Sequence, residues 1–474
     1  MDGDATATST TRMSALHELA TFALDASSDD LGAAVRERLK AHVLDALGCA
    51  LGALAAPSMK LVRAHVDGLG GSPGCSLIGG GSTALDRATL YNGALVRHLQ
   101  FTDAFVAERD QCHPADNLAA LLAAAELTGR SGDELLVALA VAYQIECRLT
   151  ETLRLHRRGL DPTLPLALSV TAGLSRLFGL GVERTVDALA IAGADGLSLL
   201  ATRAEPLSAW TAMAAPSTCV RAVHAVMLAR RGLGGPRGLL DGRLGLEGWL
   251  RRRLRIDWQR EKLDMIERIV LLRYDADPRA QSAIDAAIDL RRSLPADALE
   301  IDSVLVEVSR AAWDRLGGGA LGDKDVVAFR EQAMHNLRYL VAIALLDGEV
   351  GPRQIDDERL HAADVQDLFR RVTVKPRLRH GRREPALQPA TVTARLRDGQ
   401  SVERHRSEFE GFPTRPASWQ RVVDKLEQQT APDADPALRR HLVAAVASLE
   451  ALEASELTRL LSGAQRATAL APSL

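Results

Sequence analysis

The residues best suited to chemistry lie close together in the stretch Tyr91 to Asn117, YNGALVRHLQFTDAFVAERDQCHPADN, which brings His98, Asp103, His113 and Asp116 around one short segment. Histidine is the side chain whose ordinary pKa allows proton transfer near neutral pH. A carboxylate such as Asp103 is the usual partner that orients it. Pro114 suits a first helical position, because the NH it lacks is not needed there. The helix it opens would offer free NH groups to an anion. The same spacing also fits a plainer role, with Asp116 and Asn117 capping the helix and His98 packed in the core. Arg203 in ATRAEP, and Tyr274 and Arg279 in RYDADPRAQSA, are single residues that could hold an anion or move a proton, or could be ordinary ion pairs and packed rings. His335 and Tyr339 in EQAMHNLRYL stand four apart, a spacing that puts both on one face of a helix.

Several chemistries are excluded on residue type. The sequence contains no HExxH motif and no carboxylate–histidine cluster, and neutral Tyr339 is a poor ligand, so no metal site is expected. No GxSxG elbow is present for serine hydrolysis. The glycine-rich stretch 68–82 lacks the Lys-Ser or Lys-Thr of a phosphate-cradling loop and reads as turns around a short apolar strand, Cys75 to Ile78. Five scattered cysteines without a CxxC pair suggest neither a zinc knuckle nor a disulfide framework, and read as reduced, mostly buried thiols of a cytoplasmic protein.

The elements that must position these residues are helices. Hydrophobic residues are 47% of the 474 and aromatics only 4%, so Ala and Leu fill the core, and both favour helix. A net charge of −3 gives no basic field for nucleic acid, and no stretch approaches the about 18 uninterrupted apolar residues of a membrane span. Helices are expected at 36–54, 86–98, 114–128, 131–149, 164–178 and from Val182, separated by glycine breaks. The basic run 251–255 reads as solvated surface. After Tyr274 the pattern changes. A helix at 281–292 is followed by IDSVLVEVS (301–309), whose alternation is that of a half-buried strand. Strands are also expected at 372–375 and 391–396, with Asp398-Gly399 as a hairpin turn. The fold class is therefore mostly α with an α+β part: a large helical domain (14–264 and 409–474) interrupted by a smaller α/β lid (265–408). Residues 1–13 read as a leader without fixed structure, and the chain is expected to end in a frayed Ala/Ser/Pro terminus.

The segment NGALVRHLQFTDAFVAERDQCHPADN resembles the signature of the MmgE/PrpD family, NG…H-x-L-D-F-x-D followed by C-H-P-S-D-N. Four further matches follow in order: AGLSRLFGLG, ATRAEPLSAWTAMAAPSTCVRAVHAVMLARRGLGGPRGLLDG, RYDADPRAQSAIDAAIDLR and FREQAMHNLRYLVAIALLDGEV. The resemblance spans about residues 14 to 460. It implies a helical domain plus an α/β lid, a homodimer, a small-molecule substrate and no cofactor or metal. It also implies proton abstraction or delivery next to a carboxylate, as in dehydration, decarboxylation or epimerisation. Such a reaction needs a general acid/base and cations that stabilise an enolate-like transition state.

The family's pattern is interrupted at several positions. Its first histidine falls on Arg97, and its L-D-F aspartate on Gln100. The second-loop histidine falls on Pro162, the lysine after Trp210 on Thr211, and the histidine before Q-S-A on Arg279. Met334 and Arg338 replace an aspartate and a proline. What the resemblance carries over is His113, Asp103 and Tyr274 as the catalytic set, with Gln100, Arg203, Arg279, His335 and Tyr339 around the substrate. The expectation is a lyase or isomerase whose substrate differs from 2-methylcitrate. A non-catalytic binding homologue and an ordinary 2-methylcitrate-type dehydratase are the alternatives.

Overall fold

The computed structural model describes residues 14–108, 110–294, 301–377, 388–430 and 435–464. The expected leader and frayed terminus lie outside these residues.

The first half is built of long, largely buried helices. Ala33–Gly52, Leu85–His98, Leu118–Thr128, Gly132–Leu153, Thr163–Leu177, Val182–Ala194 and Trp210–Arg230 follow one another with short breaks. Gly132–Leu153 starts on a capping box, in which the Ser131 hydroxyl and the Glu134 carboxylate each bond the other residue's main-chain NH. Small residues let these helices approach closely. A Cβ on Gly93 would sit 3.0 Å from Cβ of Pro216, which presses Leu85–His98 onto Trp210–Arg230. Trp210–Arg230 is long and apolar enough to match a membrane span by composition, and here it packs against the helices Leu85–His98, Thr163–Leu177 and Val182–Ala194. The chain's last helices, Trp419–Thr430, Pro436–Ala447 and Ala454–Ser462, return to this body, and Trp419–Thr430 packs along Ala33–Gly52. Leu426 and Leu457 share one core with Leu44 and Leu121.

A second core begins at Tyr274. It is sheet-based, with strand order Ser401–Arg406, Ala390–Leu396, Ile301–Val308, Val372–Pro376. The first three strands are antiparallel neighbours and the last pairs parallel with Ile301–Val308. The hairpin turns at Asp398-Gly399, where Gly399 takes a φ of 89°, open to glycine without strain. Helices Gln281–Ser293, Leu337–Asp347 and Ala363–Arg371 pack with the sheet, and Val306, Ile284 and Val341 are fully buried between them.

The two cores meet at a third, smaller cluster containing Leu99, Phe101, Val106, Leu272, Phe409 and Phe412. A three-stranded sheet, Gln111–Cys112, Asp103–Val106 and Val270–Leu271, crosses this junction. Lys425 fastens it: its ammonium donates to the carbonyls of Phe101 and Leu272 and pairs with Asp45 at 2.7 Å. The motif residues therefore sit on the seam between the two bodies.

Local expectations need correction in three places. The apolar strand at 75–78 is only Cys75–Ser76, paired with Ser82–Thr83. The helix expected from Pro114 begins as a tighter turn, Pro114–Asn117, and becomes α-helical at Leu118. His335 and Tyr339 do not share one helical face. His335 ends the helix Arg330–Met334, and the Asn336 side chain caps a new helix by accepting from the NH groups of Arg338 and Tyr339. All five cysteines are free and buried, and the basic arginines Arg251, Arg252, Arg253 and Arg255 are exposed.

Candidate active site

His113 follows the strand Gln111–Cys112, and its ring is held at both nitrogens. Nδ1 lies 2.8 Å from the main-chain oxygen of Asp103. A carbonyl can only accept, so Nδ1 carries the proton. In the neutral ring Nε2 then keeps its lone pair, and the Gln100 amide donates to it at 3.3 Å. Burial and the neighbouring Arg97 cation hold the imidazole well below its usual pKa. His113 is thus a neutral base across the neutral range.

Asp103 orients His113 through its backbone, not through its carboxylate as the sequence suggested. The carboxylate turns the other way, taking His42 Nδ1 at 2.8 Å and the NH of Ala115 at 2.9 Å. The anion expected at this turn's N-terminus is therefore the protein's own side chain, which shortens Pro114–Asn117 into a tight turn.

Beside His113 lies a buried charged group from the helical body. Arg97, in the last turn of Leu85–His98, stands 3.7 Å from Asp116. Arg203 closes the turn Leu200–Arg203, donates to Asp161 at 3.0 Å and to the carbonyl of Thr211 at 2.8 Å. Asp161 is fully buried on the short strand Leu160–Asp161, and Thr202 also donates to it. Both Arg97 and Arg203 act on His113, so these side chains form one electrostatic neighbourhood.

The second body faces this group through Asp277. Its carboxylate takes Arg315 at 2.7 Å, Gln111 at 3.1 Å and the NH of Arg279 at 2.9 Å. Burial alone would raise the Asp277 pKa, but Arg315 and the adjoining His335 outweigh it and hold the group ionised. His335 donates from Nδ1 to the Glu331 carbonyl at 2.9 Å, and burial lowers its pKa to about 4. Asp275 takes the NH of Gln100 at 2.7 Å and pairs with Arg330, so the loop before the site is tied to the second body as well.

The remaining candidates lie elsewhere or are already engaged. Arg279 spends its guanidinium on the carbonyls of Ala107 and Asp110, at 3.1 and 3.3 Å, which makes it a fastener between the two bodies. The Tyr274 hydroxyl donates to Asp285 at 2.7 Å, and its ring is covered by Arg273. The Tyr339 hydroxyl donates to the Gln354 carbonyl inside the second core. Neither tyrosine hydroxyl points its proton at His113. The structure therefore brings together Gln100, Asp103, His113, Asp116, Arg203 and His335. To these it adds Arg97, Asp161, Asp277 and Arg315. Arg97 occupies a motif position and Asp161 directly precedes one, Pro162, so both could have been found there, whereas Arg315 carries no signal in the sequence. Among the described residues no group of three or more His, Cys, Asp or Glu is placed to hold a metal ion.

The MmgE/PrpD N-terminal domain matches residues 17–259, and the MmgE/PrpD C-terminal domain matches residues 274–451. The 2-methylcitrate dehydratase of Cupriavidus necator is 26% identical over 457 residues, which cover 87% of this chain and 90% of that protein. The 2-methylcitrate dehydratase-like protein oryR of Aspergillus oryzae is 27% identical over 361 residues, 71% of this chain and 72% of its own length. The 2-methylcitrate dehydratase of Escherichia coli K12 is 28% identical over 347 residues, 69% of this chain and 68% of its own. With both domains matched in order, and with the motif residues meeting on the seam between two cores, this chain belongs to the MmgE/PrpD family.

Proposed function

We propose that this protein is a lyase of the dehydratase kind, acting by proton transfer on a hydroxy-carboxylate other than 2-methylcitrate. The observation that carries the reading is the state of His113. Its Nδ1 proton is fixed on a main-chain oxygen, and its Nε2 lone pair is held only by the Gln100 amide, beside the buried cation Arg97 and the partly buried Arg203. A substrate that displaces the amide meets a neutral base with arginines at hand for the developing enolate.

In the proposed step Nε2 removes the proton on the carbon next to a carboxylate. The electron pair of that C–H bond forms the double bond as the neighbouring C–O bond breaks, and the departing hydroxide takes a proton from an acidic side chain and leaves as water. Side chains alone supply the acid, the base and the charge stabilisation.

The support for a different substrate is the change in the charge pattern. Thr211 replaces a lysine, Gln100 an aspartate and Pro162 a histidine, while Arg97 adds a cation where the family pattern has histidine. The names of the relatives favour the second reading, an ordinary 2-methylcitrate dehydratase.

Incubation with 2-methylcitrate, citrate, malate and cis-aconitate in deuterated water, followed by mass spectrometry, separates the readings. Dehydration or carbon-bound deuterium on a substrate other than 2-methylcitrate, abolished in His113→Ala, is the expected result. Preferential dehydration of 2-methylcitrate would establish the second reading. No turnover and no exchange with any hydroxy-carboxylate would contradict both.

A further inference from the structure

The Arg97–Asp116 pair is buried and incomplete. Its side chains are 4% and 8% exposed, and at 3.7 Å the contact between Arg97 Nε and Asp116 Oδ2 is too long for a hydrogen bond. Nε and Nη1 of Arg97 have no hydrogen-bond partner, nor does Oδ1 of Asp116, nor Oδ1 of the neighbouring Asp161. Leaving such atoms buried and unsatisfied is unfavourable, because each has given up its hydrogen bonds to water and gained none. Four of them on three adjoining charged side chains mark a place arranged for another molecule's polar groups. The complement of the free Arg97 donors is an anionic oxygen, and a carboxylate matches a guanidinium in geometry as well as charge.

The groups around Asp116 decide what such an anion would do. Arg97 and Arg203 oppose its protonation, while Asp103 and Asp161 favour it. Glu146 and the Cys219 thiol also face it. Burial is the largest influence and leaves the carboxyl at about 6, close to the balance point. An incoming carboxylate would occupy the charge of Arg97 and bring a second negative charge alongside. Both effects act in the same direction, toward the protonated acid.

Resting on the dehydratase reading above, we propose that a substrate carboxylate seats on Arg97 and thereby drives a proton from solvent onto Asp116, which delivers it to the departing hydroxyl. The balance closes. Asp116 gains one proton from solvent and gives it to the leaving hydroxide, forming water. His113 takes the carbon-bound proton and returns it to solvent. The substrate loses one molecule of water, and both side chains end as they began. Binding thus arms the acid, and only a ligand bearing a carboxylate can do so.

Isothermal titration of the full chain with tricarballylate tests this, because that tricarboxylate has no hydroxyl to lose. Titrations at pH 7 in HEPES and in Tris, whose ionisation heats differ, report protons taken up on binding. The expected result is net uptake in the wild type. Asp116→Asn, nearly the same shape, should bind at least as tightly without uptake. Arg97→Met should bind about tenfold or more weakly, and Arg97→Lys should fall between. Binding without proton uptake in the wild type, or uptake that persists in Asp116→Asn, would overturn the proposal and leave the dehydratase reading standing. Failure of tricarballylate, citrate, malate and succinate alike to bind would overturn both.

Discussion

At the scale of single residues, the site works by what each polar atom is already committed to. The Nδ1 proton of His113 is committed to a carbonyl, so its chemistry is confined to Nε2 and to the partner it finds there. Replacing Gln100 by glutamate puts a carboxylate in front of that nitrogen and favours the imidazolium. The His113 pKa is then expected to rise from its depressed position toward or past the ordinary value, as a histidine NMR titration would record. No upward movement would mean that Gln100 is not the Nε2 neighbour. Asp116 supplies the second pH dependence. Its carboxyl lies at about 6 in the free protein, so binding that requires its protonated form is undiminished below that pH. Above it, each bound ligand must bring in a proton. The Kd for tricarballylate is expected to weaken by up to about tenfold per pH unit above pH 6, and to stay flat over that range in Asp116→Asn. At this scale the sequence was partly readable. His113 and Arg203 could be picked out by type and motif, and they do share one neighbourhood. The assignments to Tyr274 and Tyr339 rested on motif position, and a motif does not record that Asp285 and the Gln354 carbonyl hold their hydroxyl protons.

At the scale of elements, placement depends on close approaches and on which residue caps what. The helix Gly132–Leu153 begins against the C-terminal segment: the NH of Gly132 donates to the Leu452 carbonyl at 2.7 Å, and a Cβ there would lie 1.9 Å from the Leu449 oxygen. Gly132→Ala should therefore cost about 1–3 kcal/mol, seen as a lower urea midpoint at unchanged slope. An unchanged midpoint would show that the segment moves aside freely. Apolar runs and glycine breaks made most helices legible, as alternation did for Ile301–Val308 and the Asp398-Gly399 turn signal did for the strand before it, Ala390–Leu396. What could not be read locally was decided from afar. Pro114–Asn117 is tightened because Asp103, 12 residues earlier, takes the NH of Ala115. The break between His335 and Tyr339 was readable in principle, since Asn336 is a good capping residue and a cap begins a new helix.

At the scale of the whole molecule, the site exists only where the two cores are fastened, and the fasteners are buried charges. Lys425 comes from a helix near the end of the chain and binds two carbonyls at the seam, those of Phe101 and Leu272, together with Asp45. Lys425→Met removes all three interactions and strands a buried carboxylate. A loss of about 3–5 kcal/mol is expected in chemical denaturation, because removing one partner of a buried ion pair leaves the other uncompensated. A loss below about 1 kcal/mol would mean that the seam is held by the Phe101, Phe409 and Phe412 cluster alone. The division into a helical and a mixed part could be read from the change of pattern after Tyr274. The contacts across it, such as Arg279 to Ala107 and Gln111 to Asp277, join residues far apart in the chain and leave no local trace.

The central claim is that His113 moves a carbon-bound proton next to a carboxylate. It is met most directly by deuterium exchange. With the protein and a panel of hydroxy-carboxylates in deuterated water, mass spectrometry should find one deuterium on carbon, or loss of water, for at least one substrate. His113→Ala should slow that exchange by about 10²–10⁴-fold while its circular dichroism stays that of the wild type. Exchange that continues at the wild-type rate in His113→Ala would contradict the account.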